Sequence, residues 1–503
     1  MDQENHEPLA EKLRVLRVAA DSPGGTPAER LPNELLSQIF CEGGPVVSTK
    51  RAKCTSVALT ASRVCSRWRA VAIATPQIWT HIDLDNMTSF PHSTVLRRTW
   101  RFARMCVART GSLPLSFTIS EYLKSPMKAF AGMGATSDRW ASLSLFAHTL
   151  LEIVHDTESF SGFPNLEYLD VRVTSPPIPE GTVPFPVDRA MLPRLSRFNL
   201  QIARSPTQFA CLAYMPRPSL THLSLTLVNQ DYLDILGDTL VDAHRLTHLH
   251  IEVQFEFEQM GIPSPSQLIT FPSLTFLSIV AAQHSLWFIL CRLRVPNLTH
   301  LRLRETEEPS DEANSQLTNI LFDHFLSLCP TLEYLGTQRL PLDRSLALIK
   351  RCLPERVVLA HIFRGDHMRN PICRLLRRVV KGHGEVVNIR EIVVYDGSAS
   401  GAYLAEDLVY DLQDIPEPGS PTSPMTLERL QQGPQRMVVV YSESPIGRSA
   451  IECFKAMEAM FPTRVKLHYD TTRDLGLCDF PESEGLWSTG LESRLKTVAM
   501  PGR

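Results

Sequence analysis

Seven segments of this chain share one frame, P-x-L-x-x-L-x-L, with His244 for the proline in one and Thr337 for the last leucine in another, and no other feature restricts its fold as strongly. The anchor leucines are Leu166, Leu195, Leu220, Leu246, Leu274, Leu298 and Leu332, spaced by 29, 25, 26, 28, 24 and 34 residues. After each anchor, apolar positions alternate with other residues, as Leu223 and Leu225 do around Ser224. That period of two marks a strand buried on one face. Helical patterns fill the gaps, at Ser205 to Tyr214, Asp231 to Ala243, Gln283 to Arg294, Asp311 to Leu328 and Arg448 to Phe461. Strand and helix in alternation predict a parallel sheet, each unit burying its apolar side against its neighbours. A chain of 503 residues can then stretch one repeating body instead of dividing into about three separate domains.

The frame continues upstream at Trp79-x-x-Ile82-x-Leu84 and Trp140-x-x-Leu143-x-Leu145, with Leu115 to Ile119 alternating as a strand. Downstream it continues at Ile389-x-x-Ile392-x-Val394, and Arg356 to Ala360, Met437 to Tyr441 and Val465 to Tyr469 read as β-branched strands. The 37 prolines against 24 glycines fit this plan, since a proline ahead of a strand ends the preceding helix without harming the ladder. The frame resembles the leucine-rich repeat. The resemblance implies a solenoid with parallel strands on the concave face and helices on the convex face. One departure is visible. The usual Asn or Cys after the frame is replaced by Thr174, Ala203, Val228, Gln254, Ala282 and Thr306.

Ahead of the repeats lies a different pattern. Leu31-Pro32-Asn33-Glu34-Leu35-Leu36 runs on to Ile39-Phe40, with proline in the first turn and an acid near the positive helix end. A second helical stretch begins near Ser56 and runs through Val64, Cys65, Trp68 and Ala72, closed by Thr75-Pro76. These two blocks, with Trp79 after them, resemble the F-box. The connection from Phe40 to Leu59 is longer than a minimal F-box has. The fold expected is therefore α/β, a short all-α F-box followed by a leucine-rich-repeat solenoid. Its parts are a flexible arm at 1–30, the F-box at 31–80, the solenoid at 81–475 (clearest at 140–340) and a partly disordered tail at 476–503.

The F-box resemblance implies docking to the Skp-type adaptor and cullin of an SCF-type ubiquitin ligase. Carried over by position, Leu31, Pro32, Leu35, Ile39, Val64, Cys65 and Trp68 would bind the adaptor. The family's adaptor is acidic, and the charge distribution suits it. Between Gly43 and Ser120 stand eleven basic and two acidic residues, a net of +9, which leaves −12 on the rest of a chain whose total is −3. That total excludes a globally basic nucleic-acid binder, and no nucleic-acid partner is expected. No run of 18 apolar residues occurs, so no membrane partner is expected either. Without a signal-peptide core at the N-terminus, the expected location is intracellular, in cytoplasm or nucleus. The eleven cysteines form no C-x-x-C pair and read as small buried hydrophobes.

Strand alternation turns the residues between the leucines toward the concave face. The first lining position holds Tyr168, Arg197, His222, His248, Phe276, His300 and Tyr334, and the second includes Asp170, Asn199, His250 and Arg302. Aromatic, histidine and arginine side chains of this kind are enriched where proteins recognise proteins. Tyr168, Arg197, His222, His248, His250, Phe276, His300, Arg302 and Tyr334 are the expected substrate contacts, and a merely tolerated strand filler is the competing reading. Four of these are histidines, but no carboxylate or cysteine completes a tetrahedral set, so no metal and no cofactor is expected. Catalytic motifs are lacking too. Gly132-Met133-Gly134 lacks the third glycine of a dinucleotide loop, and Ala399 stands where a nucleophile elbow needs serine. The function implied is a non-enzymatic substrate-recognition subunit with an unknown protein substrate. The alternative is an interaction scaffold or sensor that retains an F-box outside any ligase.

Overall fold

A computed structural model describes residues 31–42, 57–83, 93–119, 134–146, 150, 162–173, 191–202, 219–227, 240, 243–254, 268–306, 316–361, 389–396 and 437–442. The expected arm, the tail, the helices near 205–214 and 448–461, most of that at 231–243 and the strand at 465–469 lie outside those residues. Contacts divide the chain into two units. The first comprises Met1–Glu258, Pro263–Leu274 and Arg292–Val295, the second Gln259–Ile262, Thr275–Cys291 and Pro296–Arg503.

The first unit begins with three helices, α1 (Asn33–Glu42), α2 (Val57–Val64) and α3 (Ser66–Ile73), then a 3-10 turn at Pro76–Trp79. Leu36 and Phe40, one turn apart on α1, bury themselves against Ala61, Val71 and Ala72. Small residues on α2 and α3 let three short helices approach closely enough to share one core. Burying a side chain such as Leu36 contributes roughly 2 kcal/mol. Where the sequence pattern ran as one helix from Ser56 to Ala72, the chain breaks at Cys65. That residue is extended (φ −155°, ψ 172°), and its sulfur caps α3 by accepting the Trp68 N–H at 3.4 Å. Thr75 closes the module. Its hydroxyl donates to the Val71 carbonyl at 2.8 Å and lies 2.8 Å from Ser37 Oγ on α1. The Trp79 indole is 1% exposed and donates to the Ala72 carbonyl at 2.7 Å.

Helix α4 (Ser93–Arg109), not among the helical patterns read from the sequence, carries five of the eleven basic residues of the Gly43–Ser120 stretch. Ala103 and Cys106 bury one side of it, and the Arg109 guanidinium lies 4.3 Å from the centre of the Trp79 ring.

Seven strands of the first unit follow in chain order: β1 (His81–Asp83), β2 (Leu115–Thr118), β3 (Trp140–Phe146), β4 (Tyr168–Val173), β5 (Arg197–Ile202), β6 (His222–Leu227) and β7 (His248–Val253). Each pairs in parallel with its predecessor and successor in sequence, as stacked βα repeats require. The frame leucines alternate inward, so that Leu223, Leu225, Leu249 and Ile251 are all buried. Ahead of their strands, Pro164 and Pro193 occupy the second position of turns closed by Leu166 N–H to the Phe163 carbonyl and Leu195 N–H to the Leu192 carbonyl, both 3.2 Å. Proline suits that position because its φ is already set for it. A short parallel pair, β8 (Ile269–Thr270) with β10 (Leu293–Arg294), also belongs to this unit.

In the second unit β9 (Phe276–Ala281), β11 (His300–Glu305), β12 (Tyr334–Gln338), β13 (Arg356–His361), β14 (Glu391–Asp396) and β15 (Met437–Ser442) pair in parallel in chain order. Helices α5 (Gln283–Arg292), α6 (Gln316–Leu328) and α7 (Leu342–Cys352) connect the first of them. Trp287 of α5, fully buried, meets Phe322 of α6 edge-on with ring centres 4.7 Å apart. Among the described residues no helix is long and apolar enough to cross a membrane.

Candidate functional site

The first candidate surface is the side of the helical module opposite its core. Leu35 and Ile39 sit one position before Leu36 and Phe40, so they fall on a different face of α1. Leu35 is half-buried and Ile39 is 43% exposed. Val64, at the end of α2, is 56% exposed, and Pro32 and Cys65 are exposed. Leu31 and Trp68 are half-buried and pack against the core, the Trp68 ring 5.2 Å from that of Phe40. Sequence reasoning missed Ile73 of α3, which is 44% exposed. Two arginines of the basic stretch hold this surface together. Arg67 Nε donates to Asn33 Oδ1 at 3.0 Å, and its guanidinium also donates to the Leu31 carbonyl, tying α3 to the entry of α1. Arg69 Nε donates to the Ser62 carbonyl at 2.8 Å, closing the end of α2.

The second candidate surface is the lining face of the strands. In the first unit Tyr168, Arg197, His222 and His248 stand in register on β4 to β7. The threonines before the histidines explain how the rings are held. Thr221 donates its hydroxyl proton to the Ser196 carbonyl at 3.0 Å, and Thr247 donates to the Thr221 carbonyl at 3.1 Å. Each hydroxyl oxygen lies 2.9 Å from Nδ1 of the next residue, His222 or His248. A hydroxyl has one proton, and with it committed to a carbonyl the imidazole Nδ1 must donate. The neutral rings are therefore the Nδ1–H tautomers. Burial, then the neighbouring His248 and Arg197, push His222 down to about 4. Burial first, then Asp170, raises the Tyr168 hydroxyl above its ordinary range.

The next lining position is more closed. Asp170 is 4% exposed and accepts from Ser144 Oγ at 2.6 Å and Asn199 Nδ2 at 2.7 Å, with Arg172 at 3.4 Å. Ser144, Asp170 and Asn199 are in register on β3, β4 and β5, so this is a polar ladder that binds the strands to one another. His250 is half-buried on β7 in register with Ser224.

In the second unit Phe276, His300, Tyr334 and Arg356 share a register. The His300 ring stacks between Phe276 and Tyr334, at 6.2 and 5.7 Å, and Thr299 braces His300 Nδ1 at 2.8 Å as the other threonines do. Phe276 and Tyr334 are only 5% and 6% exposed, because these contacts and the Arg302 guanidinium cover them. Burial is also the first cause lowering His300, aided by Arg302 and Arg356 and opposed by Glu333. Among the described residues no group of three His, Cys, Asp or Glu side chains is placed to hold a metal.

A sidedness of this kind in short helices, joined to parallel strands in chain order, defines a class: a small helical docking module followed by a repeat fold of the leucine-rich type. Residues 28–85 match the F-box-like family, so the chain carries an F-box-like domain. Among solved structures it is similar to the Rad7 and Elc1 complex in yeast, at 15% identity and a TM-score of 0.31, covering 77% of this chain and 91% of that one. No curated protein matches the chain.

Proposed function

We propose that this chain is the substrate-recognition subunit of an SCF-type cullin–RING ubiquitin ligase. Its F-box-like domain holds the Skp-type adaptor, and the lining face of its strands holds a protein substrate. Its own contribution is proximity, the holding of a substrate near a charged ubiquitin-conjugating enzyme, and needs no catalytic residue. The observation that carries this reading is the pair Leu36 and Ile39 on one helix, the first fully buried and the second 43% exposed. A module this small that leaves Ile39, Val64 and Ile73 to solvent is completed by a partner.

Recovery of the tagged full chain from cells tests it. Wild type should bring down adaptor and cullin, while Ile39→Asp and Val64→Asp should lose both at an unchanged melting temperature. Failure of the wild type to recover an adaptor would sink the proposal. A scaffold that retains an F-box outside a ligase would recover adaptor without cullin.

A further inference from the structure

We infer that the lining face around Tyr334, in the second unit, is a docking site for a short acidic peptide segment. The inference rests on the substrate-face reading above and names the chemistry that this part of the face selects. The three lining rows of β9, β11, β12 and β13 carry Arg302, Arg304 and Arg356 and no acidic residue. The first acid beyond them is Glu391 on β14, in register with Arg356.

Two of these arginines are organised on one ring. The guanidinium carbons of Arg302 and Arg356 lie 5.3 and 5.9 Å from the centre of Tyr334, and Arg302 lies 5.2 Å from the centre of Phe276. Contact with an aromatic ring restricts a guanidinium in advance, so less freedom is lost when its N–H groups meet an oxyanion. Gly336 allows that placement. A Cβ there would come within 3.0 Å of Tyr334 Oη and 3.4 Å of Arg302 Cγ.

Gln338 adds a second, independent observation. It is 6% exposed, in register with Arg304, and its carbonyl oxygen is buried without a hydrogen-bond partner. Such an acceptor calls for an N–H donor. A ligand that offers carboxylates and N–H groups together is a peptide. A single-stranded nucleic acid is anionic too, but it needs open aromatic faces on which bases stack. Here Phe276 and Tyr334 are 5% and 6% exposed, with His300 between them.

Fluorescence anisotropy with the purified full chain tests the inference, using labelled hexaglutamate, a phosphoserine peptide, hexalysine and single-stranded oligouridine as probes. Both acidic peptides should bind and weaken with salt, and their ratio tells carboxylate from phosphate as the preferred source of charge. Arg302→Ala, Arg356→Ala and Gly336→Ala should each weaken binding by about 10-fold. Arg194→Ala, at an exposed turn of the other unit outside the lining rows, should leave it unchanged. Arg302→Lys keeps the charge but not the guanidinium fork and should also weaken binding, which decides the matter if Arg302→Ala fails to fold. Acidic peptides that bind no better than hexalysine, binding indifferent to Arg302 and Arg356, or tighter binding of oligouridine would each overturn the inference. The broader reading fails separately, by loss of adaptor recovery, and would survive if a substrate were still held through Tyr168 and His248.

Discussion

The imidazole rings of His222 and His248 lie face to face, with centres 4.1 Å apart and planes 14° from parallel. Neighbouring parallel strands are about 4.8 Å apart, so equivalent positions in register bring equivalent rings together. The threonine before each ring then fixes its tilt, its hydroxyl oxygen accepting a hydrogen bond from Nδ1–H. Burial first, then the neighbouring His248 and Arg197, disfavour a charge on the ring, so His222 stays neutral down to about pH 4.

That depression makes His222 a source of acid sensitivity. Its folded pKa of about 4 lies below the ordinary 6.5, so the unfolded chain binds more protons between those values. Stability from this group is complete above pH 6.5 and is lost as pH falls toward 4. His222→Phe should raise stability at pH 5 by on the order of 1 kcal/mol, discounted for the half-exposed ring, and change it little at pH 8. Urea midpoints at the two pH values check this. An equal effect at both would show that the ring's titration is irrelevant.

Glu305 carries the opposite sign. It is 1% exposed at the end of β11, and both carboxyl oxygens are buried without a hydrogen-bond partner. Burial raises its carboxyl to about 8, opposed by Arg344 and reinforced by Asp343. The folded chain therefore binds more protons than the unfolded one between 4.5 and about 8, and stability falls as pH rises through that window. Glu305→Gln should stabilise the protein by about 1–3 kcal/mol at pH 8 and hardly at all near pH 4.5. A destabilised variant at pH 8 would mean that the carboxylate is ionised and paired with Arg344.

Residues 36 and 39 of α1 should separate folding from docking. Leu36→Ala should cost about 2–5 kcal/mol, as a buried leucine does, whereas Ile39→Ala should stay within about 1 kcal/mol. Thermal melts of both variants alongside wild type measure the contrast. Comparable losses would place both side chains in the core.

The polar ladder at Asp170 should behave as one cooperative unit. Asp170→Ala leaves Ser144, Asn199 and Arg172 facing a hole and should cost about 2–4 kcal/mol. Combined with Asn199→Ala, the loss should be smaller than the sum of the two, with a coupling of about 1 kcal/mol by double-mutant cycle. Additive losses would mean that the 2.7 Å contact between them contributes nothing.

The strands were legible and several helices were not, for one physical reason. A strand's period of two survives in L-x-x-L-x-L whatever fills the gaps, so all seven framed segments are strands in the structure. Helix α4 hides because it belongs to neither the repeat frame nor the F-box pattern, and five arginines interrupt its apolar residues. The division between α2 and α3 hides because cysteine is a weak N-cap by propensity, and only the Trp68 N–H pointing at its sulfur makes it one. The turn position of Pro164 and Pro193 depends on carbonyls that the frame does not display.

The candidate surfaces divide along the same line. Alternation along one strand says which side chains share a face, and that much holds for Tyr168 and Asp170, or for His300 and Arg302, without any knowledge of their neighbours. How open each position is depends on side chains from adjacent strands, which come from residues some 24 to 34 positions away. Asp170 is closed by Ser144 and Asn199, and Tyr334 by His300 and Arg302. Periodicity is a local property of the chain, whereas stacking, burial and the sharing of one ring by two arginines are properties of strands brought side by side.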